Sequence, residues 1–175
     1  MGTRLIVISG CIASGKSTVS RQLASHLRRA GRSAAVIDLD LIYEMFGDDP
    51  KSDARTWRTA RQTAAALTSE MFSRVREFVI VEGDFWSGDT RSDFISELSP
   101  DTTLTFITLG VTFGEALRRT REDSTRGLSK DPIFLASHIA SFEESMKTLP
   151  ENETVIDSAS MTVQQIVEII VERAT

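Results

Sequence analysis

A single cysteine, Cys11, in 175 residues leaves no partner for an internal disulfide. That excludes a disulfide framework and makes a reducing, cytoplasmic compartment the expected setting. No apolar run approaches the roughly 18 residues that cross a bilayer, so no membrane partner is expected. The apolar part of the N-terminal MGTRLIVISG is too short and too soon broken for a signal peptide, and reads instead as a buried strand. Basic residues are outnumbered, 20 Lys and Arg against 25 Asp and Glu, and the net charge of -5 argues against bulk nucleic-acid binding, which needs a basic surface. The two histidines, His26 and His138, fall within predicted helices without Cys or His companions at metal spacing, and read as structural. Internal repeats, low-complexity tracts and long linkers are missing too. With 41% hydrophobic and 26% charged residues, the chain reads as one compact domain over residues 1–175.

What is present is an alternation of short apolar runs and helical stripes. Strands are expected at Arg4 to Ser9, Ala34 to Asp38, Phe78 to Glu82, Thr103 to Leu109 and Thr154 to Asp157. Their nearly continuous apolar character suits strands buried on both faces of a parallel sheet. Between them, helices are expected from Lys16 to Ala30, with Gly31 as a stop, from Ala54 to Glu77, from Asp93 to Leu98, from Phe113 to Glu122, around Leu135 to Met146, and from Val163 to Arg173. On the long helix Trp57, Ala60, Ala64, Leu67, Met71 and Val75 recur every three or four residues, and Trp57, like Phe142, reads as core. The pattern is that of a wound α/β domain, in which ligands bind beyond the carboxyl ends of the strands.

The residues just after the strands carry the chemistry. Gly10, Cys11, Ile12, Ala13, Ser14, Gly15, Lys16 and Ser17 match G-x-x-x-x-G-K-[ST] at each fixed position, with Thr18 following, between a strand and an amphipathic helix. Glycines let the backbone wrap phosphate oxygens, successive N–H groups point into one concavity, and the helix presents its positive end to the anion. Lys16 is expected on the β- and γ-phosphates of ATP, and the Ser17 hydroxyl on Mg²⁺. Cys11 supplies its backbone to the loop; a redox switch on nucleotide binding is the other reading.

Asp38 and Asp40 stand two residues apart where the second strand ends. One could hold the metal through its water shell, and the other could take the proton of a substrate hydroxyl. Alternatively one caps the next helix and the other is solvated. Val79 to Trp86 (VIVEGDFW) is a hydrophobic strand ending in an acid, the shape of a Walker B element. Glu82 could act on the metal side, with Asp84 and Trp86 facing an acceptor pocket; the alternative is a turn with exposed acids and a tryptophan closing a core edge.

Between Arg118 and Lys130 lie five basic residues and two acids, a local +3. Phosphoryl transfer needs cations around its spreading charge, and arginine suits the task. Arg118 with Glu122 and Arg119 with Asp123 could instead be surface ion pairs. Arg126 has no such partner in sequence, and Arg119 and Arg126 are the catalytic candidates, with Arg121 toward the substrate. The segment from about 118 to 131 reads as a lid that excludes water.

This combination resembles the small P-loop kinases: a phosphate loop near residue 10, D-x-D after strand two, an acid after strand three and an arginine-rich segment after strand four. The group includes shikimate kinase, gluconate kinase, adenylylsulfate kinase and chloramphenicol phosphotransferase, beside the nucleoside monophosphate kinases. The resemblance implies a three-layer P-loop NTPase fold with a five-stranded parallel sheet of order 2-3-1-4-5. Carried over from shikimate kinase, it puts Asp38 toward Mg²⁺ and makes Asp40 the base; the acid after strand two of chloramphenicol phosphotransferase also points to Asp40. No substrate signature of shikimate kinase occurs, nothing clearly matches a nucleoside-monophosphate pocket, and no feature of the long helix ties to a known acceptor. The expected function is transfer of the γ-phosphate of ATP·Mg to a hydroxyl of a small metabolite or antibiotic. The other enzyme readings are a nucleoside, nucleotide or polynucleotide 5′-kinase. From another class comes a nucleotide-binding switch, against which the chain has no N-K-x-D or T-K-x-D guanine-reading motif.

Overall fold

The computed structural model describes residues 3–47, 54–74, 77–124, 127–150 and 153–174. Five strands form one sheet: β1 (Arg4–Gly10), β2 (Ala34–Asp38), β3 (Phe78–Gly83), β4 (Thr103–Gly110) and β5 (Thr154–Asp157). They are parallel and ordered β2-β3-β1-β4-β5, the expected 2-3-1-4-5. The period-2 geometry of a strand sorts their apolar residues by face. Ile6, Ile8, Phe78 and Ile80 meet α1 (Lys16–Arg29) and α7 (Val163–Ala174) on one side. Leu5, Val7, Val79 and Val81 meet α2 (Leu39–Glu44), α3 (Ala54–Ser73) and α4 (Gly88–Ile95) on the other. A third apolar cluster lies beneath α5 (Phe113–Glu122) and α6 (Pro132–Met146), built on Ala116, Leu135, Ile139 and Phe142.

Some elements differ from expectation. Helix α4 starts at Gly88, well before Asp93, because Ser87 and Thr90 form a capping box in which each side chain bonds the other's backbone N–H. Helix α3 runs to Ser73, and Val75 lies outside the described residues. Its buried face is Ala60, Ala64, Ala65 and Thr68, whereas Leu67 is 37% exposed. The short α2 and a 3-10 turn at Leu128–Lys130 carry no apolar periodicity long enough to reveal them. Trp57 is half-buried at the start of α3, stacked on Tyr43 at 4.0 Å, rather than sealed in the core.

Register places the candidate residues together. Asp38 pairs with Glu82, Glu82 with Ile8, and Gly10 with Leu109, so the acids and the loop leave the sheet at the carboxyl ends of its strands.

Candidate active site

The loop from Gly10 to Thr18 turns β1 into α1. Ser14 N donates to Cys11 O at 3.2 Å, with Ala13 at φ 61, and Gly15, at φ 94, stands at the N-terminus of α1. No side chain caps that helix, and its first turn holds no acid, so its amides are left for an external anion. Ser14 adds a buried hydroxyl without a hydrogen-bond partner, an orphan that a phosphate oxygen would satisfy. Lys16 folds back across the loop. Its Nζ donates to Gly10 O at 2.8 Å and Cys11 O at 3.3 Å, and pairs with Asp84 Oδ1 at 3.1 Å. Desolvation works to lower the Lys16 pKa, but Asp84 and Asp40 more than offset it, so the ammonium is held above its ordinary range and stays charged. Cys11 is fully buried, and burial raises its thiol pKa, the opposite of what a redox sensor needs.

The acids gather around this loop. Gly83 has no side chain for a reason: a Cβ there would lie 2.6 Å from Leu39 Cβ, so α2 approaches β3 closely. Asp38 caps α2, accepting from Asp40 N at 3.0 Å and Leu41 N at 3.4 Å. Asp40 keeps an exposed surface while lining the same small well as Lys16 and Ser17. Desolvation of its carboxyl raises the pKa against Lys16, and Asp84, Asp38 and Glu44 push it further up. Glu82 is 3% exposed and accepts from Ser17 Oγ at 2.8 Å. Desolvation first, and then Asp38 and Asp40, push its carboxyl up to about 7 in spite of Ser17 and Lys16.

Among the described residues no group of three or more His, Cys, Asp or Glu side chains could hold a metal alone. The donor set is oxygen-only, with the Ser17 hydroxyl against the Glu82 carboxylate. That fits Mg²⁺, which keeps waters and takes one or two carboxylates beside the phosphates of its nucleotide.

Two cavities flank the well. One, of about 400 Å³, is lined by Gly15, Thr18, Arg119, Ser158, Thr162 and Ile166. Arg119 donates to Ala13 O at 3.0 Å, Ser158 Oγ at 3.2 Å and Ser158 O at 3.0 Å, and pairs with Glu115 rather than Asp123. It thus braces the loop from the side of α7, away from Asp84. Arg118 bonds Glu115 and Glu122, and with Arg119 holds Glu115 down to about 2. Arg121 is exposed on α5, and Arg126 lies outside the described residues.

The second cavity, of about 300 Å³, is lined by Ala54, Trp57, Arg61, Asp84, Trp86 and Thr90. Asp84 and Trp86 reach it because Phe85 between them is fixed: its N–H donates to Ser9 Oγ at 3.1 Å, its carbonyl accepts from Arg91 Nε at 2.7 Å, and its ring is buried against Phe94. Sequence alone does not single out Trp57, Arg61 or Ser158 as site residues. Ser158 directly follows β5, where ligand-binding residues gather, and an arginine on the buried face of α3 was visible four residues after Trp57; Trp57 itself hides among ordinary core positions.

A five-stranded parallel sheet in this order, with the phosphate loop after its first strand, is the fold of the small P-loop kinases. Solved structures share it at low identity, three of them as follows. Adenylylsulfate (APS) kinase of Mycobacterium tuberculosis, in complex with AMPPNP and APS, superposes with a TM-score of 0.70 and 13% identity, covering 98% of this chain and 96% of that one. The tunicamycin resistance protein of Deinococcus radiodurans gives 0.64 and 17%, over 98% and 95%. A gluconokinase from Sinorhizobium meliloti 1021 gives 0.61 and 18%, over 98% and 90%. No curated protein matches the chain. Residues 3–174 match the family model described as chromatin associated protein KTI12, and the chain belongs to that family.

Proposed function

We propose that the protein is an ATP-dependent phosphotransferase that moves the γ-phosphate of ATP·Mg to a hydroxyl of a small molecule. One contact carries the reading: Lys16, the cation of the phosphate loop, is bonded at 3.1 Å to Asp84, a wall of the 300 Å³ cavity, so donor and acceptor spaces meet at that pair. In this reading the loop amides and Lys16 hold the phosphates, and the cavity beside Ser158 and Arg119 takes the base. Ser17 and Glu82 would hold Mg²⁺, with Asp38 on the metal side, and the ion would supply neutralisation of charge on the phosphates. Trp57 and Trp86 flank the acceptor, and Asp84 orients its hydroxyl. Asp40, whose raised pKa suits proton transfer, takes the proton. Arg119 positions the nucleotide, and Arg121 and Arg126 belong to the lid. The buried thiol of Cys11 goes with a cytoplasmic setting.

A screen of ATP consumption against hydroxylated metabolites, nucleosides and antibiotics, with Lys16→Ala as control, tests this reading. An acceptor that raises turnover well above basal hydrolysis, lost in the variant, supports it. A second reading draws on the family description, which names a chromatin-associated protein and no small-molecule kinase: a nucleotide-dependent regulator. That reading wins if no acceptor raises turnover and nucleotide exchange instead changes binding to a protein partner.

A further inference from the structure

His138 sits in the middle of α6, far from the phosphate loop in sequence, yet Ile12 N donates to its Nε2 at 3.2 Å. Ile12 is the second residue of the Cys11–Ser14 turn, and the third, Ala13, has φ 61. A positive φ at that place ordinarily calls for glycine, and an alanine holds it only where the surroundings enforce it. The turn is tied to the rest of the molecule by Arg119 on Ala13 O, by Cys11 Sγ on Val111 O, and by the Ile12 amide, whose acceptor is His138. The ring is held in turn by aromatic neighbours: Trp86 at 4.9 Å and Phe134 at 6.3 Å, with Trp86 also against Phe142 at 5.2 Å. One ring therefore touches both the phosphate loop and the indole that walls the acceptor cavity.

We infer that His138 is a positioning residue of the nucleotide site: its imidazole accepts the Ile12 amide and holds the strained Cys11–Ser14 turn in the shape that wraps phosphates. The neutral ring with its proton on Nδ1 is the form that can do this. Burial lowers the His138 pKa and favours that form, with Lys16 acting in the same sense and Asp84 against it. The inference rests on reading residues 10–18 as a phosphate loop, and needs neither an acceptor nor turnover.

Two substitutions separate the hydrogen bond from the packing. His138→Phe keeps a stacking ring and loses the acceptor. His138→Gln loses the ring but puts an amide oxygen the same number of bonds from Cβ as Nε2. The probe is Mg·ADP, titrated calorimetrically into each folded protein at pH 7.5. Loss of the acceptor leaves the Ile12 N–H unsatisfied and should weaken binding about 10-fold in His138→Phe, while His138→Gln stays within about 3-fold of the unsubstituted protein. The inference is overturned if His138→Phe binds as the unsubstituted protein does, or if His138→Gln is as weak as His138→Phe, which would make the ring a packing group. If the unsubstituted protein takes up no Mg·ADP, the phosphate-loop reading falls and this inference with it; if it binds ADP but phosphorylates no acceptor, only the proposed activity falls.

Discussion

Replacing Glu82 by glutamine should make the metal-free protein more stable while disabling the proposed Mg²⁺ site. Glu82 is 3% exposed, with its neighbour Ser17 donating to it and Asp38 and Asp40 repelling it. A rise from the ordinary 4.5 to about 7 corresponds to about 3–4 kcal/mol, at about 1.4 kcal/mol for each pH unit. Between pH 4.5 and 7 the folded chain keeps a proton that the unfolded chain has released. Stability from this group is therefore intact below pH 4.5, falls as the pH rises through that interval, and is lowest above 7. Glutamine mimics the protonated form and accepts from Ser17 Oγ without the desolvated charge. Urea unfolding in EDTA from pH 4.5 to 8 should show Glu82→Gln and the unsubstituted protein matching at the acid end and separating by about 3–4 kcal/mol at pH 8. Mg·ATP should then stabilise the unsubstituted protein and leave the variant nearly unmoved. Equal stabilities at pH 8, or a gap that does not change with pH, would show that the carboxylate is solvated and would refute the reasoning.

Other outcomes follow from single contacts. In Gly10→Ala the new Cβ would lie 2.3 Å from Leu109 O, backbone that cannot yield, so unfolding by denaturant should reveal a loss of about 3 kcal/mol. Arg91 makes two bonds to Glu153, at 2.6 and 2.7 Å, and Thr108 also bonds that carboxylate. Arg91→Met strands the buried charge and should cost about 3–5 kcal/mol in the same assay. Asp40→Asn should lower kcat about 10²-fold with little change in the KM for ATP; a retained kcat would move the proton acceptor to Asp84.

The sheet is legible because its strands are short, largely apolar runs that alternate with helical stripes, and the phosphate loop because its spacing is fixed by the chemistry of wrapping an anion. Asp38 shows the boundary of that legibility. Its two readings, metal-side acid and helix cap, depend on α2, a six-residue helix whose existence rests on the cap itself. The arginines show another boundary. Charge density marked α5, but only the fold reveals that Arg119 braces Ala13 and Ser158 while Arg118 is bound by its own helix. His138 reads as structural from sequence because it lies in a predicted helix with no Cys or His companion at metal spacing; its partner is a backbone N–H 126 residues away, which no side-chain pattern records.

Label transfer from [γ-³²P]ATP tests the central claim most directly. With the acceptor identified by the turnover screen, the label should appear on its hydroxyl oxygen, and Lys16→Ala, still folded, should abolish the transfer. Label released only as inorganic phosphate, or transfer that survives the loss of Lys16, would contradict the account.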